Sequence, residues 1–164
     1  MSEQFDPYVL GETQTEQQRL LAQASAFEIQ SRWLLDHIDI RPGWRAVDIG
    51  CGPIGILNLL SERVGMEGSV VGLEREERFV TMARSEIARR GLRNVQIVQA
   101  DALNTGLPKA AFDLVHARLV MIIVPKREAL LQEMISLLSP GGTIVLQDVD
   151  DISYTCVPLH PSWT

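Results

Sequence analysis

The stretch AVDIGCGPIG, Ala46–Gly55, decides how the chain is read. A short run rich in apolar residues, Ala46–Ile49, ends at Gly50, and Gly50, Gly52 and Gly55 spell G-x-G-x-x-G. That spacing predicts a buried strand turning tightly into a helix whose first turn faces a ligand, because residues without Cβ let the backbone lie close against it. One residue is unusual for a dinucleotide turn. Asp48 stands two places before the first glycine, where a pyrophosphate at the helix N-terminus would meet an unwelcome negative charge.

Outward from this turn the period of the sequence alternates. Upstream, Thr13 and Glu16 fit a capping box that opens a helix to about Ile38, with Leu20, Leu21, Ala24, Phe27, Leu34, Leu35 and Ile38 at helical spacing. RPGW (Arg41–Trp44) then reads as a turn. Downstream, a helix is expected from about Ile54 to Val64, a strand at Ser69–Leu73 ending at Glu74, and a helix from about Glu76 to Arg90. That helix has Glu76 and Glu77 in its first turn and Arg89 and Arg90 in its last, matching the helix dipole. Strands follow at Val95–Ala100 and Phe112–Ala117, then a helix from about Lys126 to Leu138 ending at SPGG, and a fifth strand at Thr143–Val149. Strands alternating with helices of this length predict βαβ units, hence an α/β fold: three-layer, doubly wound, with a mostly parallel sheet of five strands.

In such sheets ligands bind beyond the C-terminal strand ends. The residues there are Asp48–Gly52, Glu74, Asp101, His116–Arg118 and Asp148–Asp151. Glu74 lies about 20 residues beyond the glycines, where an acid takes ribose hydroxyls, so it argues against a 2′-phosphate without separating NAD from an adenosyl cofactor. Asp48 separates them. S-adenosylmethionine has no phosphate and carries a sulfonium and an α-ammonium, which an acid beside the turn suits. Asp101 offers an acceptor within reach of an adenine amino group.

VDIGCGPIG, VVGLE, QADA, FDLVHARLV and LLSPGGTIVLQD together, in this order, resemble the motifs of class I S-adenosylmethionine-dependent methyltransferases across nearly all of Arg41–Asp148. YVLGETQTEQQRLLAQ, with Tyr8, Leu10, Gly11, Glu16, Arg19 and Gln23, is similar to the lead-in of the ubiquinone-biosynthesis-like, small-molecule group. The resemblance implies that Asp48 and Gly50 face the methionine end of S-adenosylmethionine; Gly52, like Gly50, lacks a Cβ and lets the backbone lie close against the cofactor. It implies that Glu74 takes the ribose, Asp101 and Ala102 the adenine, and Ala117 or Arg118 the sulfonium side. It also implies a domain plan: an N-terminal helical cap over 1–40, the cofactor-binding core over 41–150, and the start of a C-terminal part over 151–164. The family has seven strands and commonly places its third glycine where Ile54 stands. The chain is therefore expected to lack the last strands, as a fragment or half of a shared fold.

The implied reaction is methyl transfer to oxygen or carbon of a small organic acceptor; the alternative is a non-catalytic cofactor-binding module. His116 and Asp148 are the candidate bases, although a strand-end histidine is as readily a satisfied structural one. Asp148, Asp150 and Asp151 invite a metal, but Ala117 and Arg118 stand where a metal-dependent enzyme of this kind wants an acid, so none is expected. HARL after the fourth strand is unlike the N-P-P-Y of enzymes that methylate base amino groups. A net charge of −6 and pI near 5.0 disfavour nucleic acid and anionic lipid, and no apolar run approaches a membrane span. Two cysteines, Cys51 and Cys156, make no disulfide framework and point to the cytoplasm. An uncovered fifth strand would be an edge for self-association, unless residues 152–164 cover it.

Overall fold

A computed structural model describes residues 14–149. Two helices, α1 (Gln14–Ala26) and α2 (Glu28–Asp36), precede the sheet. Then follow β1 (Arg45–Ile49), α3 (Leu57–Val64), β2 (Ser69–Glu74), α4 (Glu77–Arg90), β3 (Val95–Gln99), β4 (Phe112–Arg118), α5 (Arg127–Leu137) and β5 (Leu138–Gln147). The strands lie in the order β3-β2-β1-β4-β5, every pair parallel. The order reverses at β1, which lies between β2 and β4, so the ligand crevice of this topology opens beyond the ends of β1 and β4.

Strand alternation builds two cores. Ala46, Val70, Leu114 and Val145 pack with Leu35 of α2, Leu57 and Leu60 of α3, and Val80 and Ala83 of α4. Val47, Ile49, Val71, Leu73, Val115 and Ala117 pack with Leu130, Met134 and Leu137 of α5. Covering both faces explains why β1 and β2 read as nearly continuous apolar runs. Leu57, Leu60, Leu114 and Leu130 have no exposed surface, and burial of each contributes about 1.5–3 kcal/mol. The predicted α/β, three-layer, doubly wound fold is the one observed.

Three expectations are corrected in detail. The single helix to Ile38 is broken at Phe27, whose backbone lies at φ −90, ψ 0, and its second half ends at Asp36. That break brings Ser31 and Leu35 to the core while Ile29 and Trp33 stay exposed. The capping residue Thr13 lies outside the described residues. The helix after the glycine turn starts at Leu57, not Ile54, because Gly55 is left-handed and Ile56 sits at φ −113. The fifth strand begins at Leu138, opposite Phe112, and regains register only at Thr143, opposite Leu114. The chain bulges between them, where Pro140 lacks an N–H and Gly141 is at φ 83. The expected C-terminal part over 151–164 lies outside the described residues.

Candidate functional site

The first and last glycines of the turn are demanded by close neighbours. A Cβ on Gly50, at φ 68, would lie 2.7 Å from Val120 Cγ2, in the loop after β4. A Cβ on Gly55, at φ 50, would lie 2.5 Å from Asp48 Oδ2 and 2.7 Å from the Cys51 carbonyl oxygen. Gly55 thus serves the protein's own aspartate. Gly52 differs: a Cβ there would meet nothing within 4 Å, so its backbone faces open space. The Gly52 N–H donates to Glu74 Oε2 at 2.9 Å.

β1 and β4 are in register at Asp48 and His116. His116 Nδ1 lies 2.7 Å from Asp48 Oδ1, and the Ile56 N–H points at Oδ2 over a longer 3.4 Å. Asp48 is 2% exposed and His116 0%. Asp48 is therefore a buried acid bracketing the turn, held by a histidine whose Nε2 has no partner among the described residues. With no exposed surface, the imidazole lacks the access that proton exchange with an acceptor requires.

Glu74 ends β2 as expected, 8% exposed. Its Oε1 accepts from the backbone N–H of Arg75 at 2.8 Å and of Glu76 at 2.9 Å, while Oε2 takes Gly52. Burial pushes its carboxyl above the ordinary value, and those three N–H donors pull it back. A carboxylate offers about four lone-pair sites, so three backbone donors leave capacity for a ribose hydroxyl. Asp101 is exposed beyond β3, accepting the Leu103 N–H at 2.7 Å, with Ala102 half-buried beside it. Ala117 is wholly buried against α5, so only its backbone can serve a ligand. Asp148 is exposed just past β5, and desolvation raises its carboxyl against the opposing pull of the Ile122 N–H and Arg127. Asp150 and Asp151 lie outside the described residues.

Arg118 is half-buried on the same sheet face as Asp48 and His116. Its Nη1 donates to Ser31 Oγ at 3.0 Å, and Ser31 Oγ donates to Gln147 Oε1 at 2.8 Å. Sequence reasoning passed over Ser31 and Gln147. The one available signal was a serine on the apolar stripe of a helix, four residues after Phe27 and four before Leu35. Leu119, next in the chain, is held left-handed at φ 59, a cost that clusters at ligand sites.

An open glycine backbone over a buried carboxylate, with an exposed acid at the next strand end, fits an adenosine whose ribose hydroxyls are free. A family described as a methyltransferase domain matches residues 40–160. Nocamycin O-methyltransferase from Saccharothrix syringae is 37% identical over 120 residues, covering 73% of this chain and 43% of that protein. Demethylmenaquinone methyltransferase from Geobacillus stearothermophilus is 30% identical over 123 residues, covering 73% and 53%. The chain thus spans about half the length of these relatives. A solved SAM-dependent methyltransferase from Aquifex aeolicus superposes with a TM-score of 0.65 at 22% identity, over 68% of this chain and 60% of that one, a likeness of fold. The chain belongs to the methyltransferase-domain family.

Proposed function

We propose that the chain carries the cofactor half of an enzyme that methylates a small organic acceptor at oxygen or carbon. The observation that carries this reading is Glu74 lying beneath the open backbone of Gly52 at the switch point of the sheet. In this reading Glu74 takes the ribose, Asp101 and Ala102 flank the adenine, and Gly50, Gly52 and the Ala117 backbone wall the methionine end. Asp48 lends a negative field without exposing its oxygens. The cofactor supplies an electrophilic methyl group on sulfur, which the acceptor displaces in line. The chain's own task is then alignment, the source of much of the rate in such a reaction. Where the acceptor loses a proton, we assign Asp148 to receive it; its exposure and its raised pKa, which makes it a stronger base than an ordinary aspartate, support that role. His116 we read as a positioning residue for Asp48.

The relatives' names support the acceptor class: one acts on nocamycin and another on demethylmenaquinone, both small molecules. Among the described residues no helix is long and apolar enough to cross a membrane. We place the protein in the cytoplasm, acting on a small molecule and not on nucleic acid, on its charge of −6 and its sparse cysteines. The outer edge of β5 has no neighbouring strand among the described residues, which supports self-association there. Calorimetric titration with S-adenosylhomocysteine and NAD side by side tests the cofactor site. Saturable heat with the first and none with the second is the expected result, and the reverse pattern refutes the reading.

A further inference from the structure

Arg118 is a cation in search of an anion. Its guanidinium has five N–H donors. Among the described residues it bonds the neutral Ser31 hydroxyl and forms no ion pair with a carboxylate. It lines a cleft of about 310 Å³ together with Ile54 and Gly55 of the glycine turn and Ser25 and Glu28 of the N-terminal helices. The other charges on that cleft are satisfied. Arg89 and Arg90 both bind Glu86, and Glu28 binds Arg32. Burial works against the charged form of Arg118, and Asp48 is close enough to favour it.

Chemistry narrows what this cation can meet. It stands two residues past His116, the partner of Asp48, on the same face of the sheet. A sulfonium would be repelled by a guanidinium. The anion of S-adenosylmethionine is its α-carboxylate, which matches a guanidinium fork in charge and in planar, two-pronged shape. Building on the proposed function, we propose that Arg118 takes the α-carboxylate of the cofactor's amino-acid head, beside the negative field of Asp48. Ser31 and Gln147 are positioning residues that hold the guanidinium for this task. Ser31 is wholly buried and lies on α2, whereas Gln147 lies opposite Arg118 on β5. The N-terminal helix thereby becomes part of cofactor recognition.

The test compares three ligands on the 164-residue chain: S-adenosylhomocysteine, its decarboxylated analogue, and 5′-methylthioadenosine, which lacks the whole head. The wild-type chain is expected to prefer the first over the second by at least tenfold. Arg118→Met should bring that ratio to within twofold while leaving 5′-methylthioadenosine binding unchanged, which also certifies the fold. Ser31→Ala should lower the ratio severalfold with the same control intact. A wild-type ratio near one overturns the proposal without need of any variant, and so does an Arg118→Met protein that keeps the full ratio. Failure of the wild-type chain to bind any of the three would instead refute the cofactor-site reading beneath it.

Discussion

His116 Nδ1 lies 2.7 Å from Asp48 Oδ1, and neither side chain is more than 3% exposed. The pair ties the strand that ends in the glycine turn to its neighbour β4. Removing one partner strands the other, because a buried polar group left unsatisfied loses about 1–3 kcal/mol, and more when charged.

His116→Ala is therefore expected to destabilise the chain by about 2–4 kcal/mol, adding a cavity to the stranded carboxylate. For a chain of this size that corresponds to a melting temperature lower by roughly 4–16 °C. His116→Asn should recover part of the loss. Thermal unfolding of both variants measures it. An unchanged melting temperature with abolished turnover would return His116 to the chemistry.

Gly55→Ala and Gly52→Ala should separate sharply although both residues have positive φ, at 50 and 57. At Gly52 the methyl meets open space and costs only backbone strain, about 1–2 kcal/mol. At Gly55 it strikes Asp48 Oδ2 and the Cys51 carbonyl, so the cost should exceed that of Gly52→Ala by at least about 1 kcal/mol. Urea unfolding ranks the two, and equal stabilities would refute the account of Gly55. Cofactor affinity should fall in the Gly52 variant, whose methyl occupies the space assigned to the ligand.

Glu74 gives opposite pH responses for stability and binding. Burial raises its carboxyl above the ordinary 4.5 in the folded chain, so between 4.5 and the raised value the folded state binds more protons than the unfolded one. Its contribution to stability is thus lost as pH rises through that window and regained as pH falls to 4.5. The ribose hydroxyls need the anion, so S-adenosylhomocysteine affinity should weaken over the same fall. Subtracting Glu74→Gln isolates both trends, in urea melts and in titrations at pH 4.5–7. Trends of the same sign would contradict the assignment. Glu74→Ala should lose at least about tenfold in affinity, one charge-assisted hydrogen bond being worth about 1.5–3 kcal/mol.

Sedimentation across a concentration series tests the outer edge of β5. Strand TIVLQ, Thr143–Gln147, has no neighbouring strand on its outer side among the described residues, with Leu146 41% exposed beside it. Association that weakens in a Leu146→Lys variant is expected, since charge on an edge strand opposes pairing. A wild-type chain that is monomeric at every concentration removes the edge from consideration.

The sequence alone determined the alternation of strand and helix, the parallel sheet and the acids at its strand ends. These are local or periodic signals: apolar runs in β1 and β2, glycines at the turn, and dipole-matched charges at the ends of α4. The role of each acid was not local. Asp48 reads as an acid beside the turn, and only the pairing of β4 with β1 brings His116 against it, 68 residues away. Gly55 reads as the last glycine of the spacing, and only the folded chain shows the side chain of Asp48 lying over it. Ser31 and Gln147, 116 residues apart, show nothing in one dimension of their meeting beside Arg118. Periodicity specifies which face of an element is buried, because burial repeats along the chain. Which polar group meets which inside that buried layer depends on strand order and register, and those are settled only when the elements pack.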